Sequence, residues 1–175
     1  RATSRAFDPK PLSSQQLSDV LWAAIGINRP DGKRTAPSSR DRRELDVYVL
    51  EARGVSLYDP KEHRLVPVVA EDLRTVQSSQ EFVRDAPVTL VYVADLARMS
   101  EGTATEKEAT ASFDTGFVSQ NVYLWCASEG LATGVRSWVE REVLAKKMKL
   151  RPDQRIIAAQ SIAYPAAPRP AAPKP

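Results

Sequence analysis

The chain has 175 residues, 42% of them hydrophobic and 27% charged, which excludes a disordered chain and suffices to bury a real core. A net charge of +3 is too mild to argue for a nucleic-acid partner, and no apolar run approaches a membrane span. One cysteine, Cys126, excludes an intrachain disulfide framework, and one histidine, His63, excludes a histidine metal cluster. The first residue is Arg1 rather than methionine, so a cytoplasmic chain and an exported one with a removed signal both stay open.

Residues 11–27, PLSSQQLSDVLWAAIGI, read as a capped amphipathic helix. Ser13 or Ser14 caps it, Leu17, Val20, Leu21, Ala24 and Ile25 form its buried face, and Gly26 stops it. The arginine-rich loop that follows leads into a strand at LDVYVL, with VSLYD as its hairpin partner across EARG and HRLVPVV extending the layout. EDLRTVQSSQEFVRDA is expected to form a short helix ended by Pro87, and VTLVYVAD a strand at the centre of the sheet. Residues 98–112 read as a mobile polar connection into a long helix, SFDTGFVSQNVYLWCASEGL, with so little polarity that it should be nearly buried, in the middle of the domain or at a subunit interface. VEREVLAKKMKL is a further amphipathic helix and QRIIAAQSIAY a last strand. The expected organisation is one α+β domain over residues 1–165, helices on both faces of a mixed or antiparallel sheet, then a proline-rich extended tail over 166–175.

Familiar catalytic patterns are missing. There is no nucleophile elbow, Walker loop, CxxC or favourably spaced serine–histidine pair, so an enzyme of this sequence needs a bound cofactor for its reactivity. Arg1, Thr3 and Arg5 alternate, which lets an extended segment turn all three to one side, where cations and a hydroxyl suit an anion. Composition alone reads the same residues as a ragged basic terminus.

Four segments, in order, resemble the FMN-dependent nitroreductase family: RATSRAFDPKPLS, RTAPSSRDRRELDVYV, QNVYLWCASEGLATG and the closing QSIAYP. Together they span nearly the whole chain, in the form of a compact branch. The resemblance implies a nitroreductase-like fold, a homodimer with FMN at its subunit interface, and NAD(P)H as co-substrate. It implies ping-pong hydride transfer through flavin N5 to a nitroaromatic, quinone or related small-molecule acceptor.

The resemblance also implies site residues. Arg1, Thr3 and Arg5 fall where relatives contact the FMN phosphate and ribityl chain, and Pro37, Ser38 and Ser39 where relatives reach the partner subunit's flavin. Asp41 and Arg43 replace the family's Asn and Gln; either they serve the flavin or they pair with each other at the surface. Asn121 matches a flavin-supporting asparagine, with a hydrogen bond inside a dimer core as the alternative, and Asp114 and Gln120 are weaker candidates. Arg136 and Ser137 stand where backbone N–H groups approach N5, and Trp138 either narrows the substrate space or anchors the following helix. A basic residue after the last strand, Lys174 or Arg169, is expected at the phosphate, whereas Cys126 reads as helix core.

No side chain is expected to serve as an indispensable acid or base. Two rivals remain: a flavin-binding protein of this fold with another role, and a small basic interaction module. The second is weakened because its basic residues lie among acidic ones without interleaved aromatics.

Overall fold

The computed structural model describes residues 1–167. Helix α1 (Ser14–Ile25) starts at a complete capping box, Ser13 and Gln16 each satisfying the other's backbone N–H. Its buried residues are Leu17, Val20, Leu21, Ala24 and Ile25, the face expected from the 3.6-residue period. Gly26 closes it in an extended conformation rather than a left-handed one.

Strands β1 (Phe7–Asp8), β2 (Leu45–Glu51), β3 (Gly54–Asp59), β4 (Arg64–Val69), β5 (Val88–Asp95), β6 (Ala132–Arg136) and β7 (Gln154–Pro165) form one sheet. The order is β1-β7-β5-β2-β3-β4, with β6 also on β7, and every pairing is antiparallel. β5 is buried along its whole length, as its continuous apolar run requires. Its Leu90, Tyr92 and Ala94 pack under α1 and α2 (Ala104–Ser128), while Val91 and Val93 pack on the opposite face with Leu144 of α3 (Arg141–Lys147).

Three expectations are corrected. The segment expected as a helix at 71–86 is irregular apart from a 3₁₀ turn at Glu81–Val83. Asp72 accepts from the Arg74 N–H, Ser78 Oγ accepts from the Gln80 N–H, and Gln77 turns inward to Thr89, so side chains take the backbone's helical partners. The long helix starts at Ala104, well inside the stretch read as mobile, because Thr103 and Glu106 form a second capping box. Within the single chain, Phe113 and Leu124 of α2 are 76% and 54% exposed on its outer face, so of the two placements expected for this helix the middle of the domain is excluded. Strands β1 and β6 were not foreseen, being short and, in β6, interrupted by Gly134.

Candidate functional site

Most of the predicted residues fall into two clusters. In the first, the extended segment Arg1–Arg5 lies against β6, with the Ser4 N–H donating to the Thr133 carbonyl at 2.9 Å. Tyr123, buried on α2, ties the two together. Its hydroxyl accepts from the Val135 N–H at 3.0 Å and shares a hydrogen bond of 2.8 Å with Thr3 Oγ1, in which either hydroxyl can donate. The Arg1 guanidinium stacks over the Tyr123 ring at 5.0 Å. Close approach depends on Gly134: a Cβ there would stand 2.8 Å from the Ser4 carbonyl oxygen and 3.4 Å from Thr3 Cγ2. Gly134→Ala should therefore displace the Arg1–Arg5 segment at a cost of about 1–3 kcal/mol. Chemical denaturation checks this, and an unchanged midpoint would show that the segment is not docked there.

Arg5, Gln80, Gly134 and Arg136 line a small cleft beside this segment. The Arg136 guanidinium donates to Ser161 Oγ at 2.9 Å and to Gln77 Oε1, but no carboxylate among the described residues pairs with it. Burial pushes its pKa down to about 10. Its Nε–H and the Gln80 Oε1 are buried beside the cleft without hydrogen-bond partners among the described residues. An anionic ligand carrying amide-like groups, as FMN does, fits this set: cations at Arg1, Arg5 and Arg136, a hydroxyl at Thr3, and one free donor and one free acceptor. Ser137 and Trp138 follow at the exposed end of β6; at 64% exposure Trp138 is no core anchor.

The second cluster is the loop at Pro37, Ser38 and Ser39, which shares a cleft with Phe113, Asp114 and Phe117 of α2 and no lining residue with the first. Ser38 Oγ donates to Glu44 Oε2 at 3.0 Å and accepts from the Arg43 N–H at 2.8 Å. The Ser39 N–H donates to Asp114 Oδ2 at 2.8 Å. Glu44 is fully buried, and the carboxyl of Asp114, also buried, stands near it. Burial first, then the nearby Asp114 carboxyl, raises the Glu44 pKa, and its Oε1 meets no donor among the described residues.

Arg40, Asp41 and Arg43 all have left-handed backbones, with φ of 55°, 52° and 52°, a conformation costly for residues with a Cβ. The hydrogen bonds to Glu44 and Asp114 hold the loop in it. Asp41 and Arg43 form a bidentate pair at 2.8 and 2.9 Å, the surface alternative of the two expected. That pairing lowers the Asp41 pKa. Asn121 is only partly buried on α2, and Gln120 is exposed. Lys174 and Arg169 lie outside the described residues.

Sequence reasoning missed Tyr123, Gln80 and the carboxyl pair. Only Gly134, a glycine between two apolar stretches, carried a readable signal of close backbone approach. Cys126 is buried, and burial pushes its thiol up to about 12, so it is core and not a nucleophile.

The nitroreductase family profile matches residues 1–164. The chain belongs to the nitroreductase family. A Ralstonia eutropha JMP134 protein, solved as a putative nitroreductase, is 42% identical with a TM-score of 0.90, the match covering 95% of this chain and 80% of that one. "Putative nitroreductase MJ1384" of Methanocaldococcus jannaschii is 29% identical over 154 residues, 82% of this chain and 78% of its own length. The NADPH:FMN oxidoreductase of Vibrio harveyi, solved with NAD+, shares the fold with a TM-score of 0.70 at 18% identity, over 98% of this chain and 70% of that one. Membership of the nitroreductase family supports an oxidoreductase role. No described helix is long and apolar enough to cross a membrane.

Proposed function

We propose that this nitroreductase-family chain is an FMN-dependent oxidoreductase that uses NAD(P)H to reduce a nitroaromatic, quinone or related acceptor. The observation that carries the reading is the docked Arg1–Arg5 segment beside the unpaired Arg136 cation, with one buried donor and one buried acceptor unmet. Arg1, Thr3 and Arg5 would hold the phosphate and ribityl chain. Arg136 and Gln80 would meet the flavin's polar edge, and Arg136 would offset negative charge gained on reduction. Bound FMN would supply the hydride chemistry between nicotinamide and acceptor. The Pro37–Ser39 cluster would face the flavin of a second copy, completing two sites in a homodimer. The exposed Phe113, Phe117 and Leu124 on α2 supply an apolar surface for that contact.

Reconstitution with FMN, followed anaerobically with NADH and NADPH, tests the reading. A saturable flavin complex bleached by one or both nicotinamides is expected. A complex that resists both favours the flavin-binding protein without this activity, and no binding at all would sink the flavin reading. Arg5→Ala should lower FMN affinity about tenfold by removing one charge-assisted contact. Unchanged affinity by equilibrium titration removes Arg5 from the site.

A further inference from the structure

Away from both clusters, a cleft of about 290 Å³ opens between the first turns of α1 and the β3–β4 hairpin. Leu17, Leu21 and Leu65 line it with apolar surface, and Arg53 and Arg64 with cations. Ser18 Oγ lies 2.7 Å from Nε2 of His63, and the Tyr58 hydroxyl lies 2.7 Å from Nδ1 of the same ring. The fold thus joins a serine and a histidine that sequence spacing did not pair.

The arrangement looks like a nucleophile and its base, yet the hydrogen bonds run the other way. Tyr58 is buried, and burial pushes its phenol up to about 12, so it keeps its proton. Nδ1 of His63 is the hydroxyl's one hydrogen-bond partner among the described residues. A neutral imidazole that accepts at Nδ1 carries its proton on Nε2 and donates it to Ser18. Ser18 is therefore an acceptor toward His63, with its own hydrogen left for the cleft. An activated serine needs the reverse direction, so this is not a hydrolase site.

What the cleft presents is a set of donors above an apolar floor. Arg53 uses Nε and Nη2 on a single oxygen of Glu51, leaving Nη1 free. Arg64 is held only loosely, its Nε 3.8 Å from Asp59 Oδ2. His63 adopts a left-handed φ of 48° in the hairpin turn, a cost that the two ring hydrogen bonds offset.

We propose that this cleft binds a small amphipathic carboxylate, an alkyl or aryl acid whose carboxylate meets Ser18, Arg53 and Arg64 and whose body lies on Leu17, Leu21 and Leu65. Glu51 and Asp59 already neutralise much of the cationic charge, which selects a monoanion over a phosphate dianion. The volume matches the small end of ligand sites. The site shares no lining residue with the flavin clusters and stands or falls apart from them.

Octanoate titrated into the intact chain is the test, read by NMR of the ring protons of His63, the chain's one histidine. Saturable shifts are expected, with octanol and inorganic phosphate each binding about tenfold or more weakly. Ser18→Ala and Arg53→Gln, with folding checked by circular dichroism, should each weaken octanoate about tenfold. Absence of saturation by about 10 mM octanoate overturns the site. Octanol or phosphate binding as tightly as octanoate overturns the carboxylate assignment, as does unchanged affinity in both variants.

Discussion

Glu44→Ala should lower stability by about 2–4 kcal/mol, whereas Glu44→Gln should stay within about 1 kcal/mol of the wild type. The alanine leaves the Ser38 hydroxyl without its acceptor and opens a void in a fully buried position. The glutamine keeps an acceptor for Ser38 and fills the same volume without a charge to bury. The pH dependence separates the two. Because the folded pKa of Glu44 is raised, the folded state binds more protons than the unfolded state above the ordinary value of 4.5. Stability from this group is therefore fully present below 4.5 and is lost as pH rises through the raised value. Other groups titrate in the same range, so the quantity to measure is the difference between wild type and Glu44→Gln by chemical denaturation across pH. A difference that stays flat would show that the Glu44 pKa is not raised on folding. Glu44 and Asp114 hold the Pro37–Ser39 segment and the strained Arg40, Asp41 and Arg43 backbone after it, so on the proposed function FMN retention should weaken with rising pH in wild type and less in the glutamine variant.

Gly54→Ala should cost about 3–5 kcal/mol, combining backbone strain with overpacking. Gly54 has φ +130°, a region closed to side chains, and a Cβ there would stand 2.2 Å from the Val69 carbonyl oxygen and 3.1 Å from Ala70 Cα. Both obstacles are backbone, so no side-chain rotation relieves them. The melting temperature should fall by roughly 10 °C for a chain of this size. A change within about 0.5 kcal/mol would mean the β3–β4 edge reshapes freely. Since β3 and β4 lie at the far end of the strand order from β1 and β7, FMN affinity of the surviving folded protein should be unchanged, while the His63 cleft should be lost.

Some of this was written in local sequence. The face of α1, the β2–β3 hairpin and the buried β5 follow from periodicity, because a helix repeats every 3.6 residues and a strand every two regardless of what packs on it. Where side chains compete for backbone groups the pattern misled: Asp72, Ser78 and the inward-turned Gln77 undid the helix expected at 71–86. The alternation of Arg1, Thr3 and Arg5 and the serines after Pro37 were also visible, together with the family they indicate. Which groups surround them was not. Thr3 meets Tyr123 across 120 residues, Ser39 meets Asp114 across 75, and Ser18 meets His63 across 45. The raised pKa of Glu44 and the unpaired cation of Arg136 depend on burial and on partners distant in sequence. Periodicity specifies α1, the β2–β3 hairpin and β5, and the ordered motifs specify the family; the partners emerge on folding, since desolvation and contact exist only once the chain has folded.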